Sequence, residues 1–166
     1  MSQPSINHEE LVPMGGIGVG SSSGVLRTLL GSCIGIALYE RRLKVVGLAH
    51  VVMPDSMGRT SSLGKYADTA IPETIRKMMT LAGVGGKRLD LSAKIAGGAN
   101  MFAQTSGTGT VPIGEQNRIA VEEVLKKLNI PILARHVGGT TGRRMLIDIA
   151  TCTVQIQVVG QSVIEI

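Results

Sequence analysis

The sequence predicts an α/β domain in which two helices cover a largely antiparallel or mixed sheet system. Three observations carry the prediction. Of the 166 residues 22 are glycine, most of them gathered at 15–24, 83–86, 97–98, 107–114 and 138–142, and these clusters read as loops that cut the chain into short lengths. Most of the lengths between them are β-branched or aliphatic runs of strand size. Only two carry the period of a helix.

Taken in order, residues 1–24 form an N-terminal segment ending in the loop "GGIGVGSSSG". Strands are expected at 25–30, 33–40 and 45–52. In "DTAIPETIRKMMTLAG" (68–83) Ile71, Ile75, Met78, Met79 and Ala82 share a face, Asp68 can cap the start, Pro72 falls in the first turn and Gly83 ends the helix. A strand at 93–96 follows. In "NRIAVEEVLKKLN" (117–129) Ala120, Val121, Val124, Leu125 and Leu128 make an apolar stripe, with Glu122, Glu123, Lys126 and Lys127 facing water. Strands at 132–137, 144–149, 153–159 and 162–166 complete the chain. With 43% apolar residues and no repeat, linker or low-complexity tail, 1–166 reads as one domain with its own core.

Composition narrows the function. No apolar run approaches membrane-spanning length, and "MSQPSINHEELVP" lacks the layout of a signal peptide. Two cysteines, Cys33 and Cys152, then suggest free thiols in a reducing cytoplasm. A net charge of +5 would suit nucleic acid, but aromatic content is 2%, with Phe102 the only phenylalanine and no tryptophan, so base-stacking platforms are lacking. No nucleic-acid partner is expected. The three histidines, His8, His50 and His136, and the two cysteines have no close ligand spacing, so neither a zinc site nor another cofactor is expected. "GSSSG" fits a serine-nucleophile pattern around Ser22 but lacks the preceding apolar strand and following helix; it reads as a loop. "GRTSSLGKY" and "GIGVGSSSG" miss the phosphate-loop and dinucleotide spacings.

One pair of residues carries chemistry. "LRTLLGSCIGIALYE" (26–40) sets Cys33 in a buried-looking run, and "VVGLAHVVMPDS" (45–56) sets His50 in another. A hairpin with the short loop Arg41-Arg42 pairs residues whose numbers sum to 83, so Cys33 faces His50. Directly opposed Cβ atoms lie roughly 4.5–5.5 Å apart, within reach of an imidazole–sulfur contact. A slip of one residue would put the two on opposite faces. Both faces of this hairpin are apolar, Ile34, Ile36 and Leu38 on one and Val46, Leu48 and Val52 on the other, which implies layers above and below and hence a sandwich with helices outside. A thiol beside an imidazole can act as a nucleophile. Gly31 allows a tight backbone before it, and the amides around Ser32 and Cys33 can point at an oxyanion. Spacing alone nevertheless favours two core residues, since cysteine is among the most buried types.

The surrounding words shift that balance. "LGSCIGIALYE", "GLAHVVMPDS", "KYADTAIPETIRKM", "AKIAGGANMF", "IGEQN" and "HVGGTTGRRMLIDIATC" resemble, in order and spacing, the CheD family of chemoreceptor glutamine deamidases over about residues 25–160. The resemblance implies a three-layer α/β/β sandwich with mixed, largely antiparallel sheets and two principal helices. It implies an enzyme that hydrolyses selected glutamine side chains on methyl-accepting chemotaxis receptors to glutamate, with some members credited with methylesterase activity and many binding a CheC-type phosphatase. The family's nucleophile falls on Cys33 and its histidine on His50. Its third catalytic position, a threonine six residues before the cysteine, falls on Arg27, with Thr28 one residue nearer. In a regular strand that offset turns the side chain over, so Thr28 fills the role only if a bulge or the glycine turn absorbs the difference. His136 replaces an acidic residue, which would alter the substrate rim, and Cys152 replaces a common glycine.

These expectations make a definite mechanism. Cys33 attacks the glutamine carbonyl, His50 moves the protons, a thioester forms, water releases glutamate, and the amides near Gly31 and Ser32 hold the oxyanion. Asp55, Ser56, Lys65, Tyr66 and Arg143 are candidates for contact with substrate. Asp55 and Asp68 can equally be turn and cap residues, and Arg59, Lys65, Arg143 and Arg144 a solvated basic face. Cys33 should be exposed with a depressed thiol pKa, and Cys152 shielded in an apolar strand. The competing reading is a weakly catalytic or non-catalytic binding module, favoured by the Arg27-Thr28 offset.

Overall fold

The computed structural model describes residues 8–102 and 109–166; the first seven residues of the N-terminal segment and the start of the 107–114 glycine loop lie outside that range. Along the chain run β1 (Glu9–Leu11), β2 (Ile17–Ser21), β3 (Val25–Leu30), β4 (Ile34–Glu40), β5 (Val45–Val51), α1 (Ala67–Ala82), β6 (Ser92–Gly97), α2 (Ile113–Lys127), β7 (Ile132–Val137), β8 (Arg143–Asp148), β9 (Val154–Val158) and β10 (Ile164–Glu165). Two five-stranded sheets result, ordered β1-β3-β8-β9-β10 and β2-β5-β4-β6-β7. Pairing is antiparallel except for β1 with β3 and β6 with β7. The three-layer α/β/β sandwich expected from the sequence is therefore the observed architecture.

Two apolar layers hold it together. Ile34, Ile36 and Leu38 on one face of β4 pack with Ile71 and Met78 of α1 and Val121 and Leu125 of α2. Ala37 and Tyr39, on the opposite face, join Leu26, Met145, Ile147 and Ile156 of the outer sheet. A strand buried on both sides must be apolar on both, which is why β4 and β5 read as continuous hydrophobic runs. Among the described residues no helix is long and apolar enough to cross a membrane.

The hairpin register differs from expectation by two. Gly35 faces His50 and Ile36 faces Ala49, so paired numbers sum to 85. The cause is the turn, which takes Arg41 to Lys44 with Lys44 in the left-handed region at φ 50°. A shift of two residues keeps every side chain on its face, whereas a shift of one would not. Cys33, just before β4, thus lies on the same face as Gly35 and His50, diagonal to the histidine and not opposite it.

Other departures have local causes. β2 was expected as loop because of its glycines, but they are needed for sheet contact: a Cβ on Gly20 would come within 2.3 Å of Ile149 Cδ1, and one on Gly18 within 2.8 Å of Val12 Cγ2. α1 begins at Ala67 with Tyr66 as N-cap, so Asp68 does not cap it and Pro72 sits beyond the first turn. Gly83 ends it as expected, at φ 64°. α2 begins at Ile113, earlier than its apolar stripe, and buries Gly114 and Asn117 besides Val121 and Leu125. Gly114 is there because a Cβ would meet the Gly98 carbonyl oxygen at 2.5 Å.

Cys152 is not in a strand. It occupies the turn between β8 and β9 at φ 58°, with 2% of its surface exposed. That left-handed backbone accounts for the glycine expected at this position. Cys152→Ala keeps the strain and loses the buried sulfur, whereas Cys152→Gly relieves the strain; the glycine variant should be the more stable by about 1 kcal/mol. Urea denaturation of both variants checks this, and equal midpoints would show that the turn geometry does not control the position.

Candidate active site

The site is built where the chain changes sheets. β3 belongs to the outer sheet and β4 to the central one, so Gly31, Ser32 and Cys33 form the crossing. This bend removes the difficulty with Thr28, because counting along a regular strand does not apply across it. Thr28 is fully buried and faces the central sheet, while Arg27 points the other way and pairs with Glu9 at 2.7 Å. The crossing is pinned on its far side, where the Gly98 and Ala99 amides donate to the carbonyls of Cys33 (2.8 Å) and Gly31 (2.9 Å).

Thr28 reaches His50 across the gap between the sheets, Oγ1 to Nδ1, at 2.7 Å. Its hydroxyl carries one proton, which it donates to the Val12 carbonyl at 2.7 Å. Oγ1 must then accept from His50, which places the ring proton on Nδ1 and leaves Nε2 as a bare lone pair. That assignment follows from the hydrogen-bond network. Nε2 is buried and has no hydrogen-bond partner among the described residues. His50 has only 2% of its surface exposed, and its own backbone is bonded to Gly15 and Gly16.

Electrostatics favour neutral groups. Burial lowers the His50 pKa to about 4 and pushes the Cys33 thiol above its ordinary value. Thr28 supplies a dipole and no charge, so nothing offsets the desolvation of an imidazolium. Cys33 is 7% exposed. The expected acidic, exposed thiol is therefore corrected: the resting site holds a buried neutral thiol and a buried neutral imidazole. Cys152, like Cys33, has its thiol pushed up chiefly by burial.

The remaining predicted residues fall into two other groups. Asp55 accepts from the Met57 amide at 2.7 Å, a turn role, and the buried Ser56 donates to Asp68 through both its amide (2.8 Å) and its hydroxyl (2.6 Å). The Lys65 carbonyl receives the amides of Val52 and Met53, and the Lys65 ammonium lies 5.6 Å over the ring of buried Tyr66. This segment folds back under the end of β5. Arg143 is not part of a solvated basic face: it is 5% exposed, donating to the His136 ring and carbonyl and to the Gly138 carbonyl. His136 accepts from Arg143 as a neutral ring, its pKa lowered by burial and by that guanidinium, and the contact ties β7 to β8. Among the described residues no group of three His, Cys, Asp or Glu could hold a metal ion.

Sequence reasoning missed Asn117. It is wholly buried in α2, and its side-chain amide donates to the carbonyls of Ser32 (3.2 Å) and Val52 (3.0 Å). An asparagine on the apolar side of a helix, within the quoted "IGEQN", was the available signal.

Two measurements check these charge states. The unfolded chain binds a proton at His50 below about pH 6.5, and the folded chain only near 4, so stability falls as pH drops through that window and levels off below it. The loss is on the order of 3 kcal/mol, and the difference between unaltered protein and His50→Gln in denaturation at stepped pH should show it. Alkylation of Cys33 by iodoacetamide should keep rising beyond the ordinary thiol range, roughly pH 8.5. A plateau in mildly acid solution would show a thiolate–imidazolium pair instead.

Known proteins resemble the chain over most of its length. The family described as "CheD chemotactic sensory transduction" matches residues 52–158. A Clostridium acetobutylicum protein named "Probable chemoreceptor glutamine deamidase CheD" is 40% identical over 148 residues, 88% of this chain and 87% of the relative. One of the same name from Methanococcus vannielii is 42% identical over 147 residues, 88% and 92% of the two chains. Another, from Clostridium botulinum strain Alaska E43, is 40% identical over 163 residues, 96% and 99%, a span that takes in both Cys33 and His50. The chain belongs to the CheD family.

Proposed function

We propose that the protein is a hydrolase that deamidates glutamine side chains of chemoreceptors to glutamate, with Cys33 as nucleophile and His50 as base. The observation that carries the reading is the Thr28 hydroxyl bound to both the Val12 carbonyl and His50 Nδ1, which frees Nε2 on the face shared with Cys33. The relatives' names supply the substrate class. A groove of about 510 Å³ beside the crossing, lined by Leu29, Gly31, Met101, Arg144 and Val159, suits a segment of another protein. Leu29, Met101 and Val159 are exposed apolar side chains there.

The chemistry balances without a cofactor. Nε2 takes the Cys33 proton as sulfur bonds to the glutamine carbonyl carbon, and the carbonyl electrons move to oxygen, which the Ser32 and Cys33 amides stabilise. Collapse of the tetrahedral adduct breaks the carbon–nitrogen bond, and the departing ammonia takes the proton from His50. Nε2 then removes a proton from water as its oxygen attacks the thioester; the carbon–sulfur bond breaks, glutamate leaves, and the proton on Nε2 passes to the Cys33 sulfur, restoring the neutral thiol and imidazole. Both groups rest neutral, so proton transfer to Nε2 accompanies attack and does not precede it. The binding-module reading leans on a displaced Thr28, and the Thr28–His50 hydrogen bond supports the catalytic reading instead. A CheC-type phosphatase partner, methylesterase activity and a cytoplasmic setting belong to the same proposal through the family resemblance.

Mass spectrometry of a receptor cytoplasmic fragment tests it, since each deamidation adds roughly 1 Da while replacing an amide by an acid. Cys33→Ala and His50→Ala should each lower turnover roughly a thousandfold or more, and Thr28→Val, which misaligns the ring, about 10- to 100-fold. Ser22→Ala should leave it unchanged. Full turnover by Cys33→Ala would overturn the mechanism, and a receptor fragment unchanged by the unaltered protein would overturn the activity.

A further inference from the structure

We infer that Asn117 is a positioning residue that aims the Cys33 backbone N–H at the oxyanion, an inference that rests on the proposed deamidase reading. Asn117 sits in the second turn of α2, on the helix side of the central sheet, and is wholly buried. Both hydrogen bonds from its side chain go to carbonyls, those of Ser32 and Val52, and a carbonyl only accepts, so the NH2 group must face them. The opposite atom, Oδ1, is buried with no partner among the described residues. A fully buried acceptor left unpaired is destabilising, so stability alone does not explain an asparagine here.

What the side chain grips explains it. The Ser32 carbonyl and the Cys33 amide are two ends of one peptide group, and none of the described peptide bonds is cis. In a trans peptide the C=O and the N–H point in opposite directions. Drawing the Ser32 oxygen toward α2 therefore turns the Cys33 N–H away from α2, to the side of the sheet where the thiol and His50 lie. That N–H donates to no acceptor among the described residues. It is an unspent donor on the nucleophile itself, held in place before substrate arrives, as oxyanion stabilisation requires. The second bond ties the same side chain to the residue two beyond His50, so one amide fixes the nucleophile's peptide relative to the base's strand.

Such a role separates two reactions of the same sulfur. Deamidation passes through a tetrahedral oxyanion; alkylation by iodoacetamide is a displacement at saturated carbon and does not. Asn117→Asp, nearly isosteric but without the NH2 donors, and Asn117→Ser, with one donor, should lower kcat on a receptor fragment by about 100-fold and by less, respectively, with KM and the Cys33 alkylation rate within about threefold of the unaltered protein. Alkylation falling in step with kcat would reduce Asn117 to structural support, and an unchanged kcat would also overturn the proposal. Cys33→Ala in the same assay separates the two levels: if it turns over normally, the deamidase mechanism fails and not the assignment of Asn117. If neither Asn117 variant melts cooperatively, the unaltered protein decides. A peptide aldehyde shaped like the glutamine side chain adds the Cys33 S–H across its C=O to give a hemithioacetal, and hydrogen exchange at the Cys33 amide should slow at least about tenfold as the new oxygen accepts from it. Unchanged exchange in that adduct would overturn the proposal.

Discussion

A single hydroxyl proton governs the chemistry of this site. Thr28 gives it to the Val12 carbonyl and so can only accept from His50, which selects one tautomer of the ring. The nitrogen left bare is the one that can take a proton from a nucleophile. Three parts of the sandwich meet in that short chain of bonds. β1 and the segment after it bring Val12 beside β3, the outer sheet carries Thr28, and the central sheet carries His50. Gly35, directly opposite His50, lets the sheets close: a Cβ there would stand 2.7 Å from Met145 Sδ and 2.9 Å from Leu30 Cδ1.

Burial then sets the resting state. A carboxylate in place of Thr28 would stabilise an imidazolium, but a hydroxyl does not, and the same apolar layer that orders the site disfavours both an imidazolium and a thiolate. The neutral pair keeps the thiol unreactive toward chance electrophiles until a carbonyl is placed beside it. For the nucleophile proposed above, selectivity then comes from positioning, because the thiol is not ionised in advance.

Much of this could be read from the chain, and the failures have identifiable causes. The short-loop hairpin of β4 and β5 placed Cys33 and His50 on one face even though the assumed turn was two residues short, because an even slip preserves faces. The turn length was hidden because Lys44 adopts a left-handed backbone that its residue type does not advertise. β2 was hidden because its glycines signal a loop, while their actual use is to admit Ile149 and Val12 from the facing sheet. Asn117 was hidden because its partners are main-chain carbonyls from distant segments, which no side-chain pattern encodes. Arg143 was misjudged for the same reason: a charged residue in a glycine-rich loop looks solvated until the carbonyls of 136 and 138 are brought around it.

The change of sheet between β3 and β4 has a consequence for how the protein matures. Thr28 and His50 are 22 residues apart and belong to different sheets, and β8, which pairs with β3, lies more than a hundred residues further along. Local hairpins can form early, but these contacts close only when both sheets have condensed, the slow part of folding for a chain rich in non-local pairing. A collapsed intermediate with its strands in place and its layers still fluid would lack the Thr28 contact and hence the selected tautomer of His50. The Thr28–His50 bond should therefore appear in one step, with the final packing. Until then Cys33 is a thiol in contact with water, and the closing of the two layers is what shields it.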